Sequence, residues 1–303
     1  MQQKYILIIL WISLISGIGV ISDAVGFSKS SSSKASHRQY ASKDIPRTTR
    51  MPVLRSSCVL VEDQQTSEFL VQKNAATVVP IASLTKLMTA MVVLDAQMDL
   101  EKTLIIAKED VDMLRHSRSH LPVGTHLTHY EALLVALMAS ENRAAHALSR
   151  MYPGGKKAFV AAMNAKAQSL GLVNTHFMDP SGLSSGNVSS AHDLAKMANA
   201  AYQYTLIREL TTCEEAMIKS GARKLAFKNT NKLIRSSRWQ IGLSKTGFID
   251  ESGRCLVMQA NVAQRPFLIV LLDAPGSQTR FGDANRIKQW IEKTSPPAIT
   301  RGG

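Results

Sequence analysis

The chain has 303 residues, 45% of them hydrophobic and 19% charged, with a formal net charge of +13. That composition excludes a wholly disordered or low-complexity protein, and the length leaves room for one sizeable core or two. The positive balance speaks to partners rather than to fold, and suits nucleic acid, an anionic membrane surface or an anionic polymer.

The first residues narrow the partners. MQQKYILIILWISLISGIGVISDAVG sets a lysine before an apolar run from Tyr5 to Ile21, then small residues. This is the layout of a secretory signal peptide over 1–24, with Ser22 and Ala24 fitting the small-x-small cleavage rule. The same run is also long enough to stay as an uncleaved anchor. Either way the chain is expected outside the cytoplasm, so nucleic acid is not an expected partner. Residues 25–54 read as a basic, Ser-rich flexible tether: positions 28–50 hold seven serines and six Lys or Arg. So few apolar residues cannot offset the entropy of ordering.

Order is expected from 55 to 295, with 296–303 as a tail. SCVLVED (57–63) and EFLVQK (68–73) are β-rich runs joined by a short polar stretch, which predicts a hairpin. A helix follows Pro80, with Leu87, Met88, Met91, Val92 and Leu94 as its apolar faces. THYEALLVALMAS (128–140) opens on a capping box, Thr128 with Glu131, and its apolar-all-round interior predicts a buried helix. KKAFVAAMNAKAQSLG (156–171) reads as an amphipathic helix closed by Gly171. NTHFMDPSGLSSGNVSS (174–190) is a long irregular loop, of the kind that is functional or mobile. AHDLAKMANAAYQY is helical again. WQIGLSKTGF (239–248), RCLVMQANV (254–262) and RPFLIVLLDA (265–274) read as three strands, and DANRIKQWIEK (283–293) as a last helix. Strands at both ends and helices between predict an α+β fold: an antiparallel sheet of N- and C-terminal strands with an inserted helical region.

Three short motifs carry the chemistry. S-x-x-K occurs at Ser31–Lys34 in the tether, where it is compositional, and at Ser83–Lys86, where a helix starts. Residues three apart share a helix face. A lysine of ordinary pKa is neutral in only about one molecule in 2,500 at pH 7, but burial and nearby positive charge lower that pKa, and the neutral amine can then take a proton from serine. A snorkelling lysine beside a capping serine is the bland alternative. S-x-N also occurs twice, at Ser140–Asn142 after the buried helix and at Ser185–Asn187 in the irregular loop. Ser140 can relay a proton between lysine and a leaving group, and Asn142 can hold substrate amides and Lys86. K-T-G occurs once, at Lys245-Thr246-Gly247 on a predicted strand. Lys245 can supply positive charge to a substrate and depress the pKa of Lys86, while Gly247 leaves room for an extended substrate antiparallel to the strand.

The three motifs, in this order, resemble those of the penicillin-binding proteins and serine β-lactamases. PIASLTKLMTAMVVLDA, LLVALMASENRAA, AFVAAMNAKAQSLGL with NTHFMDPSGL, and LSKTGF look like the low-molecular-mass D-alanyl-D-alanine peptidases, and most like the periplasmic D-alanyl-D-alanine endopeptidases. The likeness spans about residues 55–295. It implies a β-lactamase/transpeptidase-like fold and an acyl-serine mechanism without cofactor or metal. Ser83 is the implied nucleophile, Lys86 the general base and Ser140 the proton relay. Asn142, Lys245, Thr246 and Gly247 would bind substrate, and the backbone N–H groups of Ser83 and Phe248 would form the oxyanion hole. The implied substrates are D-alanyl-diaminopimelate cross-links of peptidoglycan, with β-lactams as inhibitors. A carboxypeptidase trimming stem peptides is the alternative, and a non-catalytic wall-binding or β-lactam-sensing protein the alternative of another class. Glu141 stands where many relatives carry aspartate or glycine, and the loop at 174–190 has Asp179 but no glutamate, which argues against efficient β-lactam hydrolysis. The chain ends ten residues after Lys293 with no amphipathic anchor in its sequence, so a soluble periplasmic enzyme is expected, its positive charge giving a loose hold on anionic envelope surfaces.

Other candidates read as structural. His116 and His120 have the spacing of a helical metal pair but lack a carboxylate or cysteine partner, and together with His126 and His129 are expected at the surface. Cys58, Cys213 and Cys255 have no metal-ligand spacing; one pair can bridge in an oxidising compartment, and all three read as ordinary buried thiols.

Overall fold

A computed structural model describes residues 50–221 and 223–294. The expected signal peptide, nearly all of the expected tether, and the expected tail lie outside those residues.

The predicted hairpin is β1 (Cys58–Asp63) and β2 (Glu68–Lys73). The short β3 (Val79–Pro80) leads through a 3-10 turn at Ala82–Thr85 into α1 (Lys86–Asp95), so Ser83 lies on the turn rather than in the α-helix itself. β4 (Thr103–Ile105) and β5 (His126–Thr128) pair across an intervening loop. The capping box at Thr128 and Glu131 forms reciprocally and opens α2 (His129–Met138), which is buried on nearly every side. α3 (Asn142–Met151) and α4 (Gly155–Ser169) follow, and Gly171 adopts the left-handed φ of 64° that ends a helix.

Within the irregular loop, β6 (Val188–Ser189) pairs with β3, tying the loop to the strand that precedes Ser83. α5 (Ala191–Tyr202), α6 (Thr205–Thr212) and a ribbon of β7 (Glu215–Ser220) and β8 (Arg223–Lys228) complete the insertion. β9 (Gln240–Ile249), β10 (Gly253–Val262) and β11 (Arg265–Ala274) are the three predicted strands. The last helix, α7 (Thr279–Thr294), starts four residues before the predicted Asp283 because Gly282, a poor helix former, obscures its first turn.

The main sheet is antiparallel with order β2-β1-β11-β10-β9. Alternation of side chains along its strands builds two cores. Leu60, Val257, Leu268 and Val270 face the helical insertion, whereas Val61, Met258, Ile269 and Leu271 face Ile287 and Ile291 of α7. The N-terminal strand β1 therefore lies between β2 and the C-terminal β11, as the chain-end pattern predicts. β9 is left at the sheet edge, facing the turn that carries Ser83.

Candidate active site

Ser83 and Lys86 meet because a single helical turn separates them. Lys86 Nζ lies 2.7 Å from Ser83 Oγ, 2.7 Å from Asn142 Oδ1 and 2.7 Å from the Ser181 carbonyl oxygen. The last two are acceptors only. A neutral amine has two N–H bonds and one lone pair, so donating to both leaves the lone pair turned to the serine hydroxyl. Burial lowers the pKa of Lys86 to about 7, against the opposing pull of the Asp179 and Glu141 carboxylates. The lysine is thus half neutral near pH 7.

Ser140 follows α2 in a left-handed conformation, φ 63°, that L-residues seldom adopt, and Ala82 before the serine has φ 46°. The strained turn brings Ser140 Oγ to 2.9 Å from Lys245 Nζ, which also donates to the Thr246 carbonyl at 3.0 Å. Lys245 is buried, and its pKa falls well below the ordinary lysine value through burial first and then the positive charges of Lys86 and Arg280. Burial is the main cause at Lys86, and the repulsion between the two cations registers on Lys245. Thr246 Oγ1 donates to Thr230 Oγ1 at 2.6 Å, and Phe248 is 46% exposed.

Two glycines close on the backbone of the serine. A Cβ on Gly247 would sit 2.9 Å from the Ile81 carbonyl oxygen and 3.2 Å from Ser83 N, so only glycine lets the edge of β9 approach this closely. From the other side Gly182, at φ +85°, would put a Cβ 1.9 Å from the Ala82 carbonyl oxygen. The Ala82–Ser83 peptide is held between them.

Two carboxylates, half-buried Asp179 and buried Asp112, hold the surrounding loops. Asp179 accepts the N–H groups of Ser181, Gly182 and Ser184 at 2.7–2.8 Å and the Ser181 hydroxyl at 2.6 Å. Burial would raise its pKa; these hydrogen bonds overcome it and hold the carboxyl below its usual range. The irregular loop is therefore a fixed wall that presents the Ser181 carbonyl to Lys86. Asp112 likewise gathers the N–H groups of Leu114, Arg115 and Ser117, and those bonds outweigh burial to bring its pKa to about 2. Its loop carries Ser117, whose Oγ accepts from Asn142 Nδ2 at 3.0 Å. A cavity of about 220 Å³ opens beside Ser83, lined by Asn142, Gly182 and Phe248 among others.

The structure forms two hydrogen-bonded groups, Ser83 with Lys86 and Asn142 and Ser140 with Lys245, and packs Gly247 on the Ser83 backbone. The second S-x-N copy is structural: Asn187 is buried and donates to Thr85 Oγ1 and the Asp179 carbonyl. Glu141 accepts from Ser119 Oγ at 2.6 Å and the His120 N–H at 2.8 Å, which occupies it away from the serine.

Sequence reasoning missed Arg280, a buried guanidinium whose Nε and Nη1 have no hydrogen-bond partner among the described residues. Burial and Arg254 lower its pKa to about 10, and its charge reaches Lys245. No motif signalled it; a buried arginine is visible only once packing is known. Asp112, Ser117 and Ser181 were missed for the same reason. His129 corrects the surface expectation: it is buried, because it opens α2, which is buried on nearly every side. Cys58 and Cys255 are buried free thiols, but Cys213, at the end of α6, is only half-buried. No group of three or more His, Cys, Asp or Glu is placed to hold a metal among the described residues.

Residues 45–276 match the family model described as D-alanyl-D-alanine carboxypeptidase, peptidase family S11. The chain is 46% identical to a D-alanyl-D-alanine endopeptidase of Pseudomonas aeruginosa over 81% of its own length and 80% of the relative's. It is 43% identical to one of Escherichia coli, again over 81% and 80%. Among solved structures it resembles the Streptomyces K15 DD-transpeptidase, with TM-score 0.75, 28% identity, and coverage of 80% of this chain and 98% of that one. The chain belongs to the D-alanyl-D-alanine carboxypeptidase family, peptidase family S11.

Proposed function

We propose that the protein is a periplasmic serine D-Ala-D-Ala endopeptidase that hydrolyses D-alanyl-diaminopimelate cross-links in peptidoglycan and is acylated by β-lactams. One observation carries the reading: the nitrogen of a buried lysine, its pKa lowered to about 7, lies 2.7 Å from the serine hydroxyl oxygen. A protein that only binds the wall would have no use for that base. Identity of 46% and 43% to two endopeptidases favours cross-link cleavage over trimming.

Ser83 Oγ attacks the D-alanine carbonyl while its proton passes to Lys86. The backbone N–H groups of Ser83 and Phe248 receive the oxyanion, each such donor contributing about 3 kcal/mol to the transition state. The C–N bond breaks as Ser140, fed by Lys86 and Lys245, protonates the leaving amine. Lys245 and Thr246 hold the leaving segment, and Asn142 the acyl segment's amides. Water then attacks the ester with Lys86 again as base. Asp179 is spent on the N–H groups of its loop, so it offers no second base for rapid β-lactam deacylation. The net charge of +13 supports a loose hold on the anionic envelope.

The test is chromatography with mass detection of a purified cross-linked muropeptide dimer incubated with the protein, beside Ser83→Ala and penicillin-treated samples. Conversion of dimer to monomers in the untreated wild type alone is expected. Loss of one terminal alanine from an intact dimer would replace the endopeptidase by a carboxypeptidase. A penicillin adduct without any cleavage would leave a sensor.

A further inference from the structure

The cavity beside Ser83 is lined by two charged groups that acylation does not use, Arg115 and Asp250. Arg115 is pinned: its Nε donates to the Leu183 carbonyl at 2.5 Å and Nη2 to Glu251 Oε1 at 2.8 Å. Its backbone is held by Asp112. Nη1 has no hydrogen-bond partner among the described residues. Asp250, exposed at the end of β9, makes no ion pair among them, although its neighbour Glu251 does. A fixed cation with a free donor and an unpaired carboxylate therefore share one small cavity next to the nucleophile.

The direction of the substrate says which part of it lies there. Ser140 and Lys245 are together, so the leaving amine must lie at that end to receive its proton. A substrate antiparallel to β9 then runs from the leaving group at Lys245, over Gly247, with its acyl segment passing Phe248 towards Ile249 and Asp250. The cavity is on the acyl side.

We propose that this cavity is the subsite for the residue preceding the attacked D-alanine, and that it selects a side chain bearing both a carboxylate and an ammonium. Arg115 Nη1 donates to the carboxylate and Asp250 accepts from the ammonium. The proposal rests on the peptidase reading and names the substrate side chain within it. The free amphoteric end of a diaminopimelate has this chemistry; lysine has the ammonium alone, and Nε-acetyl-lysine has neither charge.

Three cross-link mimics, Nα-acetyl-Xaa-D-Ala joined through its carboxyl to the side-chain amine of a second diaminopimelate, with Xaa diaminopimelate, lysine or Nε-acetyl-lysine, test it through kcat/KM. Each charge contact is expected to give about a tenfold preference along that series, the increment of one charge-assisted hydrogen bond. Arg115→Gln should abolish the preference of diaminopimelate over lysine and keep that of lysine over its acetylated form; Asp250→Asn should do the reverse. If Arg115 only straps the loops, its loss lowers all three rates together and leaves the ratios intact, which overturns the subsite. A wild type without preference does so as well. Should Arg115→Gln not fold, the exposed Asp250→Asn alone decides. Fluorescent penicillin is run in parallel: labelled protein without side-chain preference defeats only the subsite, whereas unlabelled protein inert on all three peptides defeats the peptidase reading and the subsite with it.

Discussion

Replacing Glu141 by glutamine removes a negative charge from the neighbourhood of Lys86 while keeping a side chain that can accept from His120 N–H and bond Ser119 Oγ. The charge matters because Glu141 is one of two carboxylates that raise the pKa of Lys86 against its burial, leaving it at about 7. A unit charge roughly 10 Å away in a medium of effective dielectric near 20 is worth about 1.7 kcal/mol, or about one pKa unit. Solvent at the mouth of the site trims this, so the limb should move to lower pH by roughly half a unit to one unit. With a pKa of about 7, the wild-type amine is about one-tenth neutral at pH 6 and nine-tenths neutral at pH 8. Normalised to its own plateau, acylation of Glu141→Gln at pH 6 is then about three- to fivefold faster than that of the wild type. Stopped-flow acylation by a fluorescent penicillin between pH 5 and 9 reads both limbs. An acid limb that stays in place in the variant, or a wild-type limb above pH 9, would refute Lys86 as a base tuned by burial against Glu141.

Gly182→Ala forces a Cβ to 1.9 Å from the Ala82 carbonyl oxygen at a φ of +85°, and should cost about 3 kcal/mol or more and abolish most penicillin acylation; a variant with wild-type Tm and labelling would show that the clamp on the serine peptide is not needed. Thr128→Ala removes the acceptor of the Glu131 N–H and should lower stability by about 1 kcal/mol in urea titration, with labelling at Ser83 intact. Between about 7 and 10.5 the unfolded chain keeps a proton on Lys86 that the folded protein has released, so stability rises with pH from 7. Cys255 acts in the opposite sense above pH 9: burial raises its pKa to about 11, so there the unfolded thiol loses its proton first. The urea midpoint should therefore climb from pH 7 to 9 and climb less in Lys86→Met; a falling midpoint in the wild type would contradict this.

Local chemistry was legible in the sequence, and long-range placement was not. The Thr128–Glu131 capping box, the Gly171 helix stop and the alternating strands at the C-terminal end announce themselves within a few residues. The motifs at 83–86, 140–142 and 245–247 were found because each is compact. α3, α6 and the β7–β8 ribbon went unread, since their short or mixed apolar patterns take shape only against the buried α2 and the sheet. The two loop carboxylates stayed hidden for a related reason. Nothing in an isolated Asp179 tells that it collects three backbone N–H groups, nor in Asp112 that it brings Ser117 to Asn142. Arg280 lies beyond the third motif by more than thirty positions and reaches Lys245 only through the packing of α7 on the sheet.

The placement of β1 between β2 and β11 has a consequence for the order of assembly. Ser56, just ahead of β1, bonds Asp283 at a separation of 227 positions, and β1 lacks one of its two neighbours until β11 exists. Such pairing closes a very large loop, which makes assembly slow. Lys245 and Phe248 likewise follow the whole helical insertion. A nascent chain thus carries its serine and lysine early yet has no edge strand to set against them until its last quarter has been made. A chain cut short before β11 leaves both β1 and β10 without one of their two neighbours in the sheet.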